Sequence, residues 1–166
     1  GADLNDGNGT DSGVFYVLLG PVTGARDMGA DEDAKVVGAS AGDRLGVMIQ
    51  PAGDVNADGY DDFLTGATRD DIGASDAGIT YLFYGTATID EWDGASVTDA
   101  ELAVDTSFYG DEVDGVTGSA MSTGDFDDDG EIDFLIGAQN AGSDGQGAAY
   151  FFYGPVSGSL PLSSAN

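Results

Sequence analysis

The 166-residue chain contains no cysteine and no histidine. Without thiols there are no disulfides, no zinc-thiolate sites and no cysteine nucleophile, and cysteine pairing says nothing about redox compartment. Without imidazole there is no Ser-His or Cys-His catalysis within this segment and no imidazole metal ligand. Any metal chemistry must therefore use oxygen. Positive charge is scarce too: Lys35, Arg26, Arg44 and Arg69 face 31 acidic residues, for a formal net charge of −27. Such a surface repels nucleic acid and anionic membranes, both of which are bound through basic patches. No apolar run of about 18 residues is long enough to span a bilayer, and no basic start followed by an apolar core suggests a signal peptide. The expected partners are cations or positively charged surfaces, with no nucleic acid and no membrane insertion.

Hydrophobic residues make up 41% of the chain and aromatics 10%, enough for a folded core instead of a disordered tail. There are 28 glycines, and short runs of Val, Ile, Phe, Tyr and Thr stand between Gly, Asp and Ser clusters. That pattern favours an all-β fold of many short strands. Asp outnumbers Glu 26 to 5, which suits turns and oxygen cages better than helices.

The chain repeats itself. Gly1-Ala2, Gly66-Ala67 and Gly137-Ala138 each end the same kind of strand, and each precedes a polar loop and then 13-GVFYVLLG-20, 78-GITYLFYG-85 or 147-GAAYFFYG-154. The segment 20-GPVTG-24 recurs as 154-GPVSG-158. Leu45-Gly46-Val47-Met48-Ile49 and Val116-Thr117-Gly118-Ser119-Ala120 align at an offset of 71 residues, and further strands are expected around Ala34 to Gly38 and Leu102 to Thr106. The unit is about four short strands, the size of a propeller blade. Strands such as 79-ITYLFY-84 are apolar throughout, so both sheet faces should be covered, by other sheets since no helices are on offer. The expected fold is all-β, a partial β-propeller with blades of about four antiparallel strands. One segment, 1–166, holds repeat units of approximately 1–65, 66–136 and an incomplete 137–166. Because propellers close with about four to eight blades, further blades are expected as partners, from the rest of a longer chain or from other subunits.

Two acidic loops stand 71 residues apart, 54-DVNADGYDD-62 and 125-DFDDDGEID-133. Each sets side-chain oxygens at positions one, three, five and nine, a glycine at six and a backbone carbonyl at seven, the makings of a hard-cation cage. In the second loop Asp125, Asp127, Asp129 and Asp133 would crowd together, each pair costing on the order of 1 to 4 kcal/mol at surface dielectrics. A divalent cation converts that repulsion into binding, and calcium suits the donor set better than magnesium or zinc. The bland alternative is a metal-free Asp-Gly turn between strands, but the same oxygens kept in two copies favour the ion. An EF-hand is excluded: Thr65 and Ile136 occupy its twelfth position, and strands follow where helices are required.

The GDxNxDGxxDxxxGA pattern with its later GxxYxxYG strand resembles the FG-GAP repeats of integrin α-subunit propellers and their microbial relatives, over essentially the whole chain. The resemblance implies calcium loops joining the first two strands of a blade. It assigns ligand roles for two Ca²⁺ ions to Asp54, Asn56, Asp58, the Tyr60 carbonyl and Asp62, and to Asp125, Asp127, Asp129, the Glu131 carbonyl and Asp133. Leu45-Gly46 stands for Phe-Gly, while Val116-Thr117 keeps only its apolar half. Of the remaining acidic stretches, 3-DLNDGNGTD-11 places its glycine at position five and aligns with 68-TRDDIGASD-76, and Asp27, Asp31, Glu32 and Asp33 read as a solvated face. Trp92 and the strand tyrosines read as packing residues.

The expected function is an extracellular or cell-surface module for adhesion or for protein or glycan recognition, non-enzymatic, with calcium stiffening its blades. The alternative is a non-catalytic or substrate-binding part of a secreted polysaccharide-degrading enzyme. No base, acid and electrophile converge in the sequence, and the arginines would be the first candidates if cleavage occurred.

Overall fold

A computed structural model describes residues 1–88 and 106–166. Trp92 and the expected strand residues Leu102 to Asp105 lie outside the described residues. Ten strands follow in order: β1 Val14–Val17, β2 Ala34–Val37, β3 Leu45–Gly53, β4 Asp62–Ala67, β5 Ile79–Phe83, β6 Thr106–Tyr109, β7 Thr117–Gly124, β8 Asp133–Ala138, β9 Ala148–Phe152 and β10 Gly158–Pro161. A single 3₁₀ turn, Leu162–Ser164, follows β10. No α-helix occurs among the described residues.

The strands form three sheets, each one blade of a partial β-propeller. Blade one retains β1 and β2, paired antiparallel, with Ala2 bridging to Val14 in the place of a preceding strand. Blade two is complete: β3, β4, β5 and β6 run antiparallel in sequence order. Blade three consists of β7, β8 and β9. The order is a meander, the arrangement that short loops between sequential strands enforce.

Two packed layers hold the blades together. Phe15 and Val36 of blade one meet Leu45, Ile79, Tyr81 and Phe83 of blade two, with the Phe15 ring edge-on to Phe63 and Phe83 at centroid separations of 5.4 and 5.1 Å. On its other face blade two sets Leu64, Leu82 and Phe108 against Phe134, Ile136 and Phe152 of blade three. β5 is therefore buried at every position, as its unbroken apolar sequence requires. Burying such side chains contributes about 1.5 to 3 kcal/mol each.

Glycine lets adjacent blades approach. A Cβ on Gly66 would stand 2.5 Å from the Gly118 carbonyl oxygen, and one on Gly1 would overlap Gly46. Gly46 and Gly118 themselves sit at φ of 88° and 82°, a region that side chains disfavour.

This equivalence corrects one alignment. Leu45 pairs with Ala67 and Thr117 with Ala138, so Leu45-Gly46 matches Thr117-Gly118, not Val116-Thr117. The glycine half of the pair is the half retained. The offset changes by one because β3 carries an extra residue: its register shifts between Pro51 and Gly53, leaving Ala52 as a buried bulge that β7 lacks.

A second departure concerns β10, which joins β6 of blade two in parallel, Leu160 opposite Phe108. Leu162 then enters the core between blades two and three.

Candidate metal centre

Both acidic loops connect the first two strands of a blade, β3 to β4 and β7 to β8, and fold identically. The carboxylate at position one accepts two backbone N–H groups. Asp54 takes those of Asp58 and Gly59, each at 2.9 Å, and Asp125 takes those of Asp129 and Gly130, each at 3.0 Å. Position three accepts the same Asp58 or Asp129 N–H, at 3.1 Å from Asn56 and 3.2 Å from Asp127. The carboxylate at five accepts the N–H at seven: Tyr60 to Asp58 at 2.9 Å, Glu131 to Asp129 at 2.8 Å. The loop turns through left-handed residues at four, Ala57 at 58° and Asp128 at 60°, and at six, Gly59 at 95° and Gly130 at 93°. Open space surrounds both glycines, so glycine is present there for its backbone freedom alone.

Position nine behaves differently. Asp62 and Asp133, at the start of β4 and β8, are buried at 2% and 0% exposure. One oxygen of each receives the N–H of position two, Val55 at 2.7 Å or Phe126 at 2.8 Å. The other receives the N–H of the glycine closing the third strand, Gly85 at 2.7 Å or Gly154 at 3.0 Å. The residue clasps the loop to a strand two removed in the chain. Buried carboxylates require such donors. Sequence reading missed the partners, although the YG that ends strands 78–85 and 147–154 was the available signal.

The carboxylates of the second loop also stand close to one another. Asp125, Asp127 and Asp133 bring a carboxylate oxygen each within 4.8 Å of the others. Asp129 does not belong to that trio. In loop one position three is Asn56, whose amide donates to Asp58 at 2.9 Å. Asn56 supplies a neutral oxygen where Asp127 supplies a charged one. Tyr60 and Glu131, whose carbonyls were assigned at position seven, lie exposed on the rim.

The electrostatics follow from this crowding. Withdrawal from water, then the charges of Asp129 and Asp133, raise the Asp127 carboxyl above its ordinary value. For Asp62 burial is the main upward cause; the Gly85 and Val55 N–H groups oppose it, and the charges of Asp58 and Asp54 add to it. A three-carboxylate, all-oxygen donor set on a rigid turn suits a hard cation.

The acidic stretches 3–11, 68–76 and 27–33 make different contacts. Asp6 and Asp71 accept the N–H groups of Asp11 and Asp76 at 3.0 and 2.8 Å, with Asp11 and Asp76 both left-handed. The two loops are thus equivalent turns after the GA strands. Asp31 and Glu32 cap N–H groups in an exposed loop, and Glu32 lies 4.0 Å from Lys35. Tyr81 is buried, its hydroxyl donating to Asp70 at 3.1 Å, while Tyr150 reaches Glu112 of the link between β6 and β7 at 3.5 Å.

Comparison with known proteins agrees with this architecture. The FG-GAP repeat model matches residues 51–83 and 117–152, each match spanning one acidic loop and the two strands after it. The chain is 34% identical over 125 residues to the mouse phosphatidylinositol-glycan-specific phospholipase D, an alignment covering 72% of the chain and 14% of that protein. Two matched repeats, folded as adjacent blades and carrying loops with the same backbone hydrogen bonds, make the chain a member of the FG-GAP repeat family.

Proposed function

We propose that the chain is a calcium-binding propeller segment of an extracellular or cell-surface protein, in which the ion stiffens each blade and loops at one end present a recognition surface to a protein or glycan. The observation that carries this reading is the convergence of Asp125, Asp127 and Asp133 on a loop whose backbone N–H groups hold Asp125 and Asp133 in place. Calcium would be held by those three carboxylates with Asp129 and the Glu131 carbonyl, and in the first loop by Asp54, Asn56, Asp58, the Tyr60 carbonyl and Asp62. The ion would cancel the repulsion within each cage and couple the loop to the third strand through Asp62 and Asp133. Binding to the folded state alone adds about 2.7 kcal/mol at a hundredfold excess over Kd. Oxygen cages of modest affinity fill where calcium is abundant, which supports placement outside the cell.

The segment acts as a scaffold and not as a catalyst in this reading. The likeness to a phospholipase favours a second possibility, a non-catalytic part of a secreted enzyme acting on a glycan or a glycan-linked lipid. Thermal melting in calcium and in EDTA tests the first claim. Calcium should raise Tm, and an unchanged Tm would overturn it. A glycan-binding array run beside an activity screen on acidic polysaccharides separates recognition from cleavage.

A further inference from the structure

The two junctions between blades are built on one plan and filled differently. Aligning 13-GVFYVLLG-20 with 78-GITYLFYG-85, the two acidic loops with each other and Gly85 with Gly154 sets the register. Leu19, Asp61 and Ala87 at the first junction then correspond to Tyr84, Ile132 and Val156 at the second. At the second, those three pack against the core shared by blades two and three, which includes Leu82 and Phe134. At the first, a shorter aliphatic chain, a carboxylate and a methyl group stand in their places. A cavity of about 320 Å³ opens there over Val17 and Phe63, with Tyr60 at its edge.

Walls and mouth differ in chemistry. Val17, Phe63 and the Ala87 methyl make the walls apolar, and at the mouth Leu19 is 57% and Tyr60 43% exposed. Asp61 is exposed beside them, and its carboxylate accepts no hydrogen bond among the described residues. A second carboxylate adjoins the mouth, since Asp33 receives the Leu19 N–H at 2.7 Å. The loop that forms one wall is fixed by its own backbone: Asp54 and Asp58 receive the N–H groups of Gly59 and Tyr60, each at 2.9 Å.

We propose that this cavity recognises a basic, aromatic-bearing segment of a partner protein, with a ring of tyrosine size seated over Val17 and Phe63 and a neighbouring lysine or arginine meeting Asp61 at the mouth. Shape selects the ring, because the space left open is the one that Tyr84, Ile132 and Val156 fill from within at the second junction. Charge selects the basic neighbour: two carboxylates on a chain of net charge −27 attract cations and repel acidic segments. A protein is selected over a free amine because small-molecule sites enclose about 70 to 90% of their ligand. Here Leu19, Tyr60, Asp61 and Ala87 are all exposed, and a larger partner is needed to cover them. An aromatic anchor in a pocket is how protein interfaces concentrate affinity. The inference rests on the recognition reading, whose partner it names by chemistry, and takes nothing from the ion.

The test titrates the chain, in calcium, into three fluorescein-labelled peptides followed by anisotropy: Gly-Ser-Lys-Tyr-Lys-Ser-Gly, its alanine version Gly-Ser-Lys-Ala-Lys-Ser-Gly and its acidic version Gly-Ser-Glu-Tyr-Glu-Ser-Gly. The first two carry the same lysines, so their affinity ratio cancels general attraction to an acidic chain. That ratio should be at least about tenfold, and the acidic peptide should not bind. Leu19→Tyr combined with Asp61→Ile and Ala87→Val copies the filled junction; it should bring the ratio to one and raise Tm by about 2 to 4 °C. Leu19→Tyr alone, at an exposed position, should lower the ratio without lowering Tm, and it serves also if the triple variant does not fold. Asp61→Asn should weaken the tyrosine peptide about threefold more than the alanine peptide. A ratio of one in the unaltered chain would overturn the proposal, as would free tyramine binding as tightly as the tyrosine peptide. So would a ratio that survives the filled junction, which would put the ring elsewhere, such as on Phe126, Phe151 and Tyr153. Glycan capture with a ratio of one would leave recognition standing and remove this partner. EDTA melts of peptide-free protein read the ion separately, so the two readings fail independently.

Discussion

Loop one and loop two share every backbone hydrogen bond and differ in charge. In the first, Asn56 at position three donates to Asp58 and settles the loop internally. In the second, Asp127 has no proton to offer and faces Asp129 and Asp133, whose charges help raise its carboxyl. The hydrogen-bonded frame is thus common property, and the charge at the proposed ligand positions differs at a single side chain. A fold can keep a cage's shape while varying its need for the ion.

The strongest way to break the comparison is at the residue the loops share most fully. Asp62→Ala and Asp133→Ala each leave two N–H groups without their acceptor, one of them at the end of the third strand. Each should cost on the order of 2 to 5 kcal/mol in urea melts, with or without calcium. A loss under about 1 kcal/mol would mean that the clasp is idle.

Calcium titration by calorimetry sharpens the contrast. Loop two, with four carboxylates against three, should bind about tenfold more tightly. Asp127→Asn should bring the two affinities together, and Asn56→Asp should do so from the other side. In EDTA the order reverses: Asp127→Asn should raise the Tm of the metal-free protein by relieving repulsion. A fall would show that position three contributes something besides charge.

Gly59→Ala and Gly130→Ala should cost about 1 kcal/mol each and equally, since both positions are left-handed and neither is crowded. Unequal losses would reveal a difference in the frames. The smallest expected effect is on acidity. The carboxyls of Asp62 and Asp127 are raised in the folded state, so without metal the native protein holds those protons more tightly than the unfolded chain. Their contribution favours folding below the ordinary carboxylate value and is lost as pH rises through the raised one. As pH falls from neutral toward the ordinary carboxylate value, EDTA-treated protein should therefore gain stability from these groups, while calcium-loaded protein loses it as protons displace the ion. Melts across that pH range, compared with Asp127→Asn, read the second loop's share.

The turn was legible beforehand because it is local: positions one, three, five, six and nine lie within nine residues, and a repeat displays them twice. The strands were legible for the same reason, as in 79-ITYLFY-84, whose apolar run matches complete burial of β5. Features set by distant pairing escaped. The bulge at Ala52 displaces the alignment of Leu45-Gly46 by one residue, and nothing in 45–53 alone distinguishes a nine-residue strand from an eight-residue one with a turn. The contacts of Asp62 with Gly85 and of Asp133 with Gly154 span 23 and 21 residues, and nothing within the nine-residue loop announces them.

The parallel attachment of β10 to β6 carries a mechanical consequence. Stacked repeats ordinarily loosen one at a time, since each touches only its neighbours. Here the polypeptide leaves the third unit and is stitched into the outer margin of the second, with Leu162 pinned between them. Neither unit can come undone without first pulling that stitch, so the pair should melt in one step and resist pulling as a single body.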